Sequence, residues 1–240
     1  MSNKLSNKVL HGFIAWRPQP YDLARRIIDG NNPVKFGAKK HSVREVVLFI
    51  TRLSFRPVIL ASMKHCYSKT PLNPIGFGYF TTAFRKNNDV VKIYDFTTKL
   101  DSKTLDRLYA EIKKSFDIAQ KYLGKFLNPT EIYIGKHPLT NDSCIMLKQA
   151  YVEGKPLRGS SYAAQMNTLQ KENFIKFLRI NEEMRNDTGY TADINANNLF
   201  LVDNSIILVD TIPSGQVVAK NRRSTISILK RELKTLSIIL

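Results

Sequence analysis

Asp193-Ile194-Asn195-Ala196-Asn197-Asn198 leads directly into the apolar run Leu199-Phe200-Leu201-Val202. Beyond Asp203-Asn204-Ser205 comes a second run, Ile206-Ile207-Leu208-Val209, which ends in Asp210. Two short apolar runs around a polar turn spell a hairpin. A hairpin returns the chain to its starting point, so Asp210 comes back towards Asn198 and Asp193 and three oxygen-bearing side chains surround one cleft. Asp193 can then orient a hydroxyl nucleophile and accept its proton. Asn198 and Asp210 can hold Mg²⁺ on the phosphates of ATP, since hard cations prefer oxygen ligands. The polar run alone is an ordinary turn; the apolar hairpin and the terminal Asp210 set it apart.

Towards the N-terminus, Ile75–Arg85 (IGFGYFTTAFR) is rich in β-formers. The turn Lys86-Asn87-Asn88-Asp89 follows, then Val90-Val91-Lys92-Ile93-Tyr94, which predicts a glycine-containing hairpin. At Gly76 and Gly78 no Cβ blocks the approach of backbone N–H groups to phosphates. Lys92 alternates with Val91 and Ile93, and a lysine among apolar strand residues is costly unless it is solvated at an edge or meets an anion. Asp101 or Ser102 can cap a long helix to about Leu123, with Leu105, Leu108, Ile112, Phe116 and Leu123 at helical spacing. Glu111, 19 residues after Lys92, lies inside that helix. It can hold the lysine towards the phosphates or pair with Arg107 or Lys114 one turn away. Strands are expected at Glu131–Gly135 and Ser143–Ala150, turn chemistry at Glu153-Gly154-Lys155-Pro156, and a helix over 166–186.

The N-terminal region is basic. The whole chain of 240 residues carries a formal charge of +17, and its first 70 residues hold 13 Lys/Arg against three Asp/Glu, a net +10. Short helices are expected over 20–29 and from about Val43 to Leu53, the second with Ser42 and Glu45 as a capping box and Pro57 as its stop. The most apolar stretch, Val46 to Ala61, is interrupted by Arg52 and Arg56 and is too short to span a bilayer. It reads as a packed helix followed by a strand. The last segment, 224–240, reads as a basic helix or a strand–helix mixture. No secretory signal is visible. Cys66 and Cys144 cannot form a disulfide framework or a cysteine-rich zinc site, so a reducing, cytoplasmic setting is expected. At 43% hydrophobic residues the chain has material for a core, which excludes wholesale disorder. The charge invites a nucleic-acid reading, but no zinc motif or recognition-helix pattern accompanies it and the aromatics follow core spacing.

The order of these pieces resembles the protein-kinase-like fold from about Pro74 to Pro213. The resemblance implies an α+β, two-lobed architecture: a mostly helical extension over 1–70, an N-lobe of a sheet plus one long helix over 71–150, and a C-lobe over 151–240. It assigns Gly76 and Gly78 to the nucleotide-covering loop, Lys92 to the phosphate-binding lysine and Glu111 to its helical partner. Gln149, Ala150 and Val152 fall on the hinge that meets adenine through backbone groups. Asp193 matches the catalytic aspartate, and Asn198 and Asp210 match the Mg²⁺ ligands. The departures are specific. Thr81 stands near where the third loop glycine is missing. Thr191 and Ala192 replace the usual His and Arg before the catalytic aspartate, Asn195 replaces the usual lysine, and Thr211-Ile212 follows Asp210 in place of Phe-Gly. With 30 residues after Asp210, a truncated C-lobe is expected. That plan is similar to the minimal Ser/Thr kinases that pathogenic bacteria inject into host cells as effectors. A monomeric, ATP- and Mg²⁺-dependent kinase acting on a partner protein, an acidic host protein among the candidates, is therefore expected. Alternatives that stay open are a small-molecule kinase of the aminoglycoside type, a transferase of AMP, and a non-catalytic basic binding module.

Overall fold

Asn87, Asn141 and Asp203 adopt left-handed backbone (φ 56°, 61° and 48°). Each sits in the turn between two strands, where Asn and Asp tolerate this conformation better than other side chains bearing a Cβ. These turns fold the chain into mixed α+β structure with antiparallel strand pairs. The computed structural model describes residues 56–78, 81–157, 165–194 and 197–213. The helices expected over 20–29 and 43–53, Asn195 and the segment 224–240 lie outside the described residues.

The chain divides into two units. Among the described residues the first comprises 56–78, 81–109 and 131–151, and the second 110–130, 152–157, 165–194 and 197–213. The first unit is built on a sheet of order β1-β2-β3-β5-β4. Its strands are β1 (Asn73–Phe77), β2 (Thr82–Lys86), β3 (Asp89–Ile93), β4 (Thr130–Lys136) and β5 (Ser143–Ala150). The stretch Ile75–Arg85 is thus split between two strands, with Gly78 N–H donating to Thr81 C=O (2.7 Å) in the turn. Phe84 pairs with Val91, and Ile93 with Met146. Together with Cys144 these residues carry the core of one sheet face.

That face is covered by α1 (Arg56–Cys66) through Ile59 and Met63, and by Tyr67 just beyond it. Burying each of these side chains contributes roughly 1.5–3 kcal/mol. A strand was expected after Pro57. The structure has a helix there, because proline in a first helical turn removes no hydrogen bond and its fixed φ suits the helix. A polar cluster secures the end of α1. His137 Nδ1 accepts from the N–H groups of Leu139 and Thr140 (both 3.3 Å). The ring proton therefore sits on Nε2, facing the Tyr67 hydroxyl (3.3 Å) and Asp95 (3.6 Å). Asp95 in turn accepts from Thr82 Oγ1 (2.6 Å).

The helix α2 (Ser102–Leu123) begins in the first unit and continues into the second. Asp101 is its cap, accepting from Thr104 N–H (2.9 Å). Leu105, Leu108, Ile112, Phe116 and Leu123 are all buried, as their spacing predicts. The second unit adds β6 (Lys155–Pro156), α3 (Thr168–Thr188), β7 (Leu199–Val202) and β8 (Ser205–Leu208), with sheet order β6-β7-β8. Asn167 and Gln170 form a capping box at the head of α3, and Gly189 closes it in the left-handed region (φ 77°). Its core side is aromatic, with Phe177 edge-on to Phe126 and stacked on Phe174. Among the described residues no helix is long and apolar enough to cross a membrane.

Two outcomes follow from this packing. A Cβ on Gly154 would lie 2.6 Å from the Leu201 carbonyl oxygen, so Gly154→Ala should lose about 1–3 kcal/mol in denaturant unfolding. The Cys144 thiol is pushed from 9.0 up to about 12, first by burial and then by Asp95 and Asp142. Its folded value exceeds its unfolded one, so its contribution is complete below about pH 9 and is lost as pH rises towards 12. Alkylation at about pH 8 should spare Cys144 in the native protein and label it in denaturant.

Candidate functional site

Irregular backbone has no ladder partners, and it holds a side chain in place only if something else takes up its N–H and C=O groups. Around Asp193 that support comes from α3. Asn181, 2% exposed, accepts the Ala192 N–H on Oδ1 (2.8 Å) and donates from Nδ2 to Thr191 Oγ1 (3.1 Å). A tight turn follows, with Ile194 N–H donating to Ala192 C=O (3.0 Å). Ala192 and Ile194 are buried on either side of Asp193, whose own side chain is half-buried. The local fold thus buries both neighbours and leaves Asp193 itself half-buried between them.

The hairpin register brings the other two residues to it. Leu199 pairs with Leu208, and the ladder extends one step further, Val209 N–H donating to Asn198 C=O (2.8 Å). Asp210, the next residue, therefore stands at the open end of the hairpin beside Asn198. The Asn198 Nδ2 reaches the Asp193 carbonyl oxygen at 3.2 Å and Asp210 Oδ2 at 3.5 Å. At the closed end α3 holds the turn: Gln170 Nε2 donates to Asp203 C=O (2.5 Å) and Asn173 Nδ2 to Asn204 C=O (2.9 Å). Asn128, just before β4, and Thr130, the first residue of β4, brace the end of the hairpin and the residue after Asp210. Asn128 N–H donates to Leu208 C=O (3.0 Å), and the Thr130 hydroxyl donates to Asn128 C=O (2.7 Å). That leaves Thr211, buried at 1% exposure, to donate to Thr130 Oγ1 (3.0 Å).

Asp193, Asn198 and Asp210 are thus brought together, all half-buried. Among the described residues no group of three His, Cys, Asp or Glu is gathered as a metal cage. Two carboxylates and a carboxamide match what Mg²⁺ takes when substrate phosphates complete its shell. The donor set fits that ion, which would be held by Asp210 and by the Oδ1 of Asn198, the Nδ2 being the atom turned towards Asp210 in this structure.

The remaining sequence-predicted residues are placed on the elements of each unit in turn. In the first unit Gly76 pairs with Ala83, Ala83 with Lys92, and Lys92 with Leu147, one row across four strands. Lys92 is half-buried on β3, the middle strand, on the face opposite α1. Gln149 is two residues along β5 from Leu147, hence on the same face, and is 2% exposed. Ala150 is exposed at the end of β5, and the next residue, Tyr151, donates its N–H to Asn88 C=O (2.7 Å). Glu111, half-buried on α2, and Val152 belong to the second unit.

Asn181 and Thr130 were not singled out by the sequence reading. Asn181 carries a faint signal: it is a polar residue in step with the buried Phe174, Phe177, Leu178 and Met184. Among the described residues, a Cβ at Gly78 would meet Thr81 O and Oγ1, both at 3.7 Å, which is ordinary contact. Gly78→Ala should therefore leave unfolding free energy within about 0.5 kcal/mol of the wild type. A larger loss would show that the turn itself requires glycine.

No protein-family model matches the chain, and no curated protein matches it. Thirteen chains among the solved structures do. One is that of WbdD, in a co-crystal structure with a kinase inhibitor, with a TM-score of 0.35 and 12% identity over 66% of this chain and 37% of that one. The chain thus spans little more than a third of that protein's length, and the likeness is a distant one.

Proposed function

We propose that the chain is an ATP- and Mg²⁺-dependent phosphotransferase, a minimal Ser/Thr protein kinase. The observation that carries this reading is the Asn198 carboxamide, within 3.2 Å of the Asp193 carbonyl and 3.5 Å of the Asp210 carboxylate. A pairing of a loop asparagine with an aspartate beyond a short hairpin serves metal–phosphate binding in protein kinases. ATP supplies the phosphoryl group. Asp193 orients the acceptor hydroxyl and takes its proton, while Asn198 and Asp210 hold Mg²⁺.

The order of elements along the chain supports the same reading. A glycine hairpin precedes a lysine on the third strand, and the helix that follows carries Glu111, an order that protein kinases use for the phosphate-binding lysine and its partner. Lys92 then neutralises phosphate charge with Glu111 as its helical partner. Gly76 and Gly78 leave room for backbone N–H groups over the phosphates, and Gln149, Ala150 and Val152 line the adenine. In this chemistry catalysis is positioning plus charge stabilisation. A protein acceptor, an acidic host partner and delivery into a host cell rest on the sequence resemblance and on the charge of +17.

The test is incubation of the purified full chain with Mg-ATP and generic protein substrates, followed by intact mass and peptide analysis. A phosphoryl-sized increment on Ser or Thr is expected. Asp193→Ala should lower the rate about 10²–10⁴-fold and Lys92→Met about 10²–10³-fold, with melting temperatures unchanged. An AMP-sized increment would reassign the transferred group. Transfer unaltered in Asp210→Ala would overturn the assignment.

A further inference from the structure

The loop that presents Asp193 is held from within α3. Along α3 the buried positions are Gln170, Phe174, Phe177, Leu178, Asn181 and Met184. A leucine at 181 would continue that apolar stripe, and burying a carboxamide in its place is unfavourable unless both of its ends are bonded. Both ends of Asn181 are bonded, and both partners belong to the two residues just before Asp193: the Ala192 N–H at 2.8 Å and the Thr191 hydroxyl at 3.1 Å. Thr191 is 1% exposed and Ala192 2%. The residue immediately before Asp193 is Ala192, not an arginine that could receive a phosphorylated segment.

Resting on the phosphotransferase reading above, we infer that Asn181 is the positioning residue of the Asp193 loop, an anchor built into α3 that presents the carboxylate without phosphorylation of the chain. Its carboxamide fixes the backbone at Ala192, and the next residue inherits that placement. The consequence is regulatory: the backbone at 191–193 is already held in the unmodified protein.

The test compares the full-length wild type with Asn181→Leu, Asn181→Asp and Thr191→Val. Two readouts are taken: steady-state transfer from Mg-ATP, and amide hydrogen exchange across 191–194. Asn181→Leu should lower kcat about 100-fold, the loss that a displacement of about 1 Å brings. Its KM for ATP should stay near the wild type, its melting temperature should fall by only a few degrees, and exchange at Ala192 should accelerate. Asn181→Asp, whose carboxylate accepts from both the Ala192 N–H and the Thr191 hydroxyl, should recover most of kcat. Wild-type kcat or unaltered exchange at Ala192 in a folded Asn181→Leu would overturn the inference, as would a loss of kcat that simply tracks a fall in melting temperature. If Asn181→Leu does not fold, Thr191→Val decides, because it removes one bond at nearly constant volume. Faster exchange with reduced kcat supports the anchor, and wild-type values for both overturn it. Absence of transfer by the wild-type protein would remove the phosphotransferase reading, while the exchange data would still decide whether Asn181 holds the loop.

Discussion

Backbone N–H and C=O groups in a segment without ladder partners must find other partners or stay in water. In the second unit that constraint falls on the stretch around Asp193 and on the turn of the β7–β8 hairpin, and α3 meets it at two points along its length. Gln170 and Asn173, near its head, take the carbonyls of Asp203 and Asn204, and Asn181, further along, takes the Ala192 N–H. One helix therefore sets both the closed end of the hairpin and the entry to the loop. The open end, where Asn198 meets Asp210, follows from the ladder register between those fixed points.

The first unit solves a different problem. A charged side chain on the middle strand of a five-stranded sheet must reach water or an anion on one face. Lys92 does so because α1 occupies the other face, where Val91, Ile93, Phe84 and Met146 form the core with Ile59 and Met63. Strand alternation alone places Lys92 opposite its neighbours. It does not say which face will be covered, and that is decided by a helix arriving from earlier in the chain. The basic N-terminal region thus contributes, through α1, a layer of the sheet's own core.

Much of this architecture was legible in the residues. The long helix capped at Asp101, the strand Ser143–Ala150 and the hairpin over 199–208 follow from periodicities of 3.6 and 2 and from turn-forming Asn and Asp. Asp193, Asn198 and Asp210 were also readable as a group, because a hairpin register is a local property and ties their sequence spacing to their distance. Where local signals conflicted, the reading failed. Pro57 was taken as a stop, although the same ring is compatible with the first turn of a helix, and only the packing of Ile59 and Met63 on the sheet chooses between the two.

What the sequence by itself determined is therefore what depends on near neighbours: the strands, the caps, the turns and the pairing of Asn198 with Asp210 across one hairpin. What only the tertiary structure decided is what depends on partners far along the chain. Tyr67 with His137, Thr130 with Thr211, and Thr82 with Asp95 through side chains on different elements are of this kind, as is Asn181 reaching the backbone of Ala192. A polar residue in an apolar stripe announces that it has a partner. Its identity is set by how helices and strands pack, because hydrogen bonds are directional over about 3 Å while sequence patterns report only which side of an element faces inward.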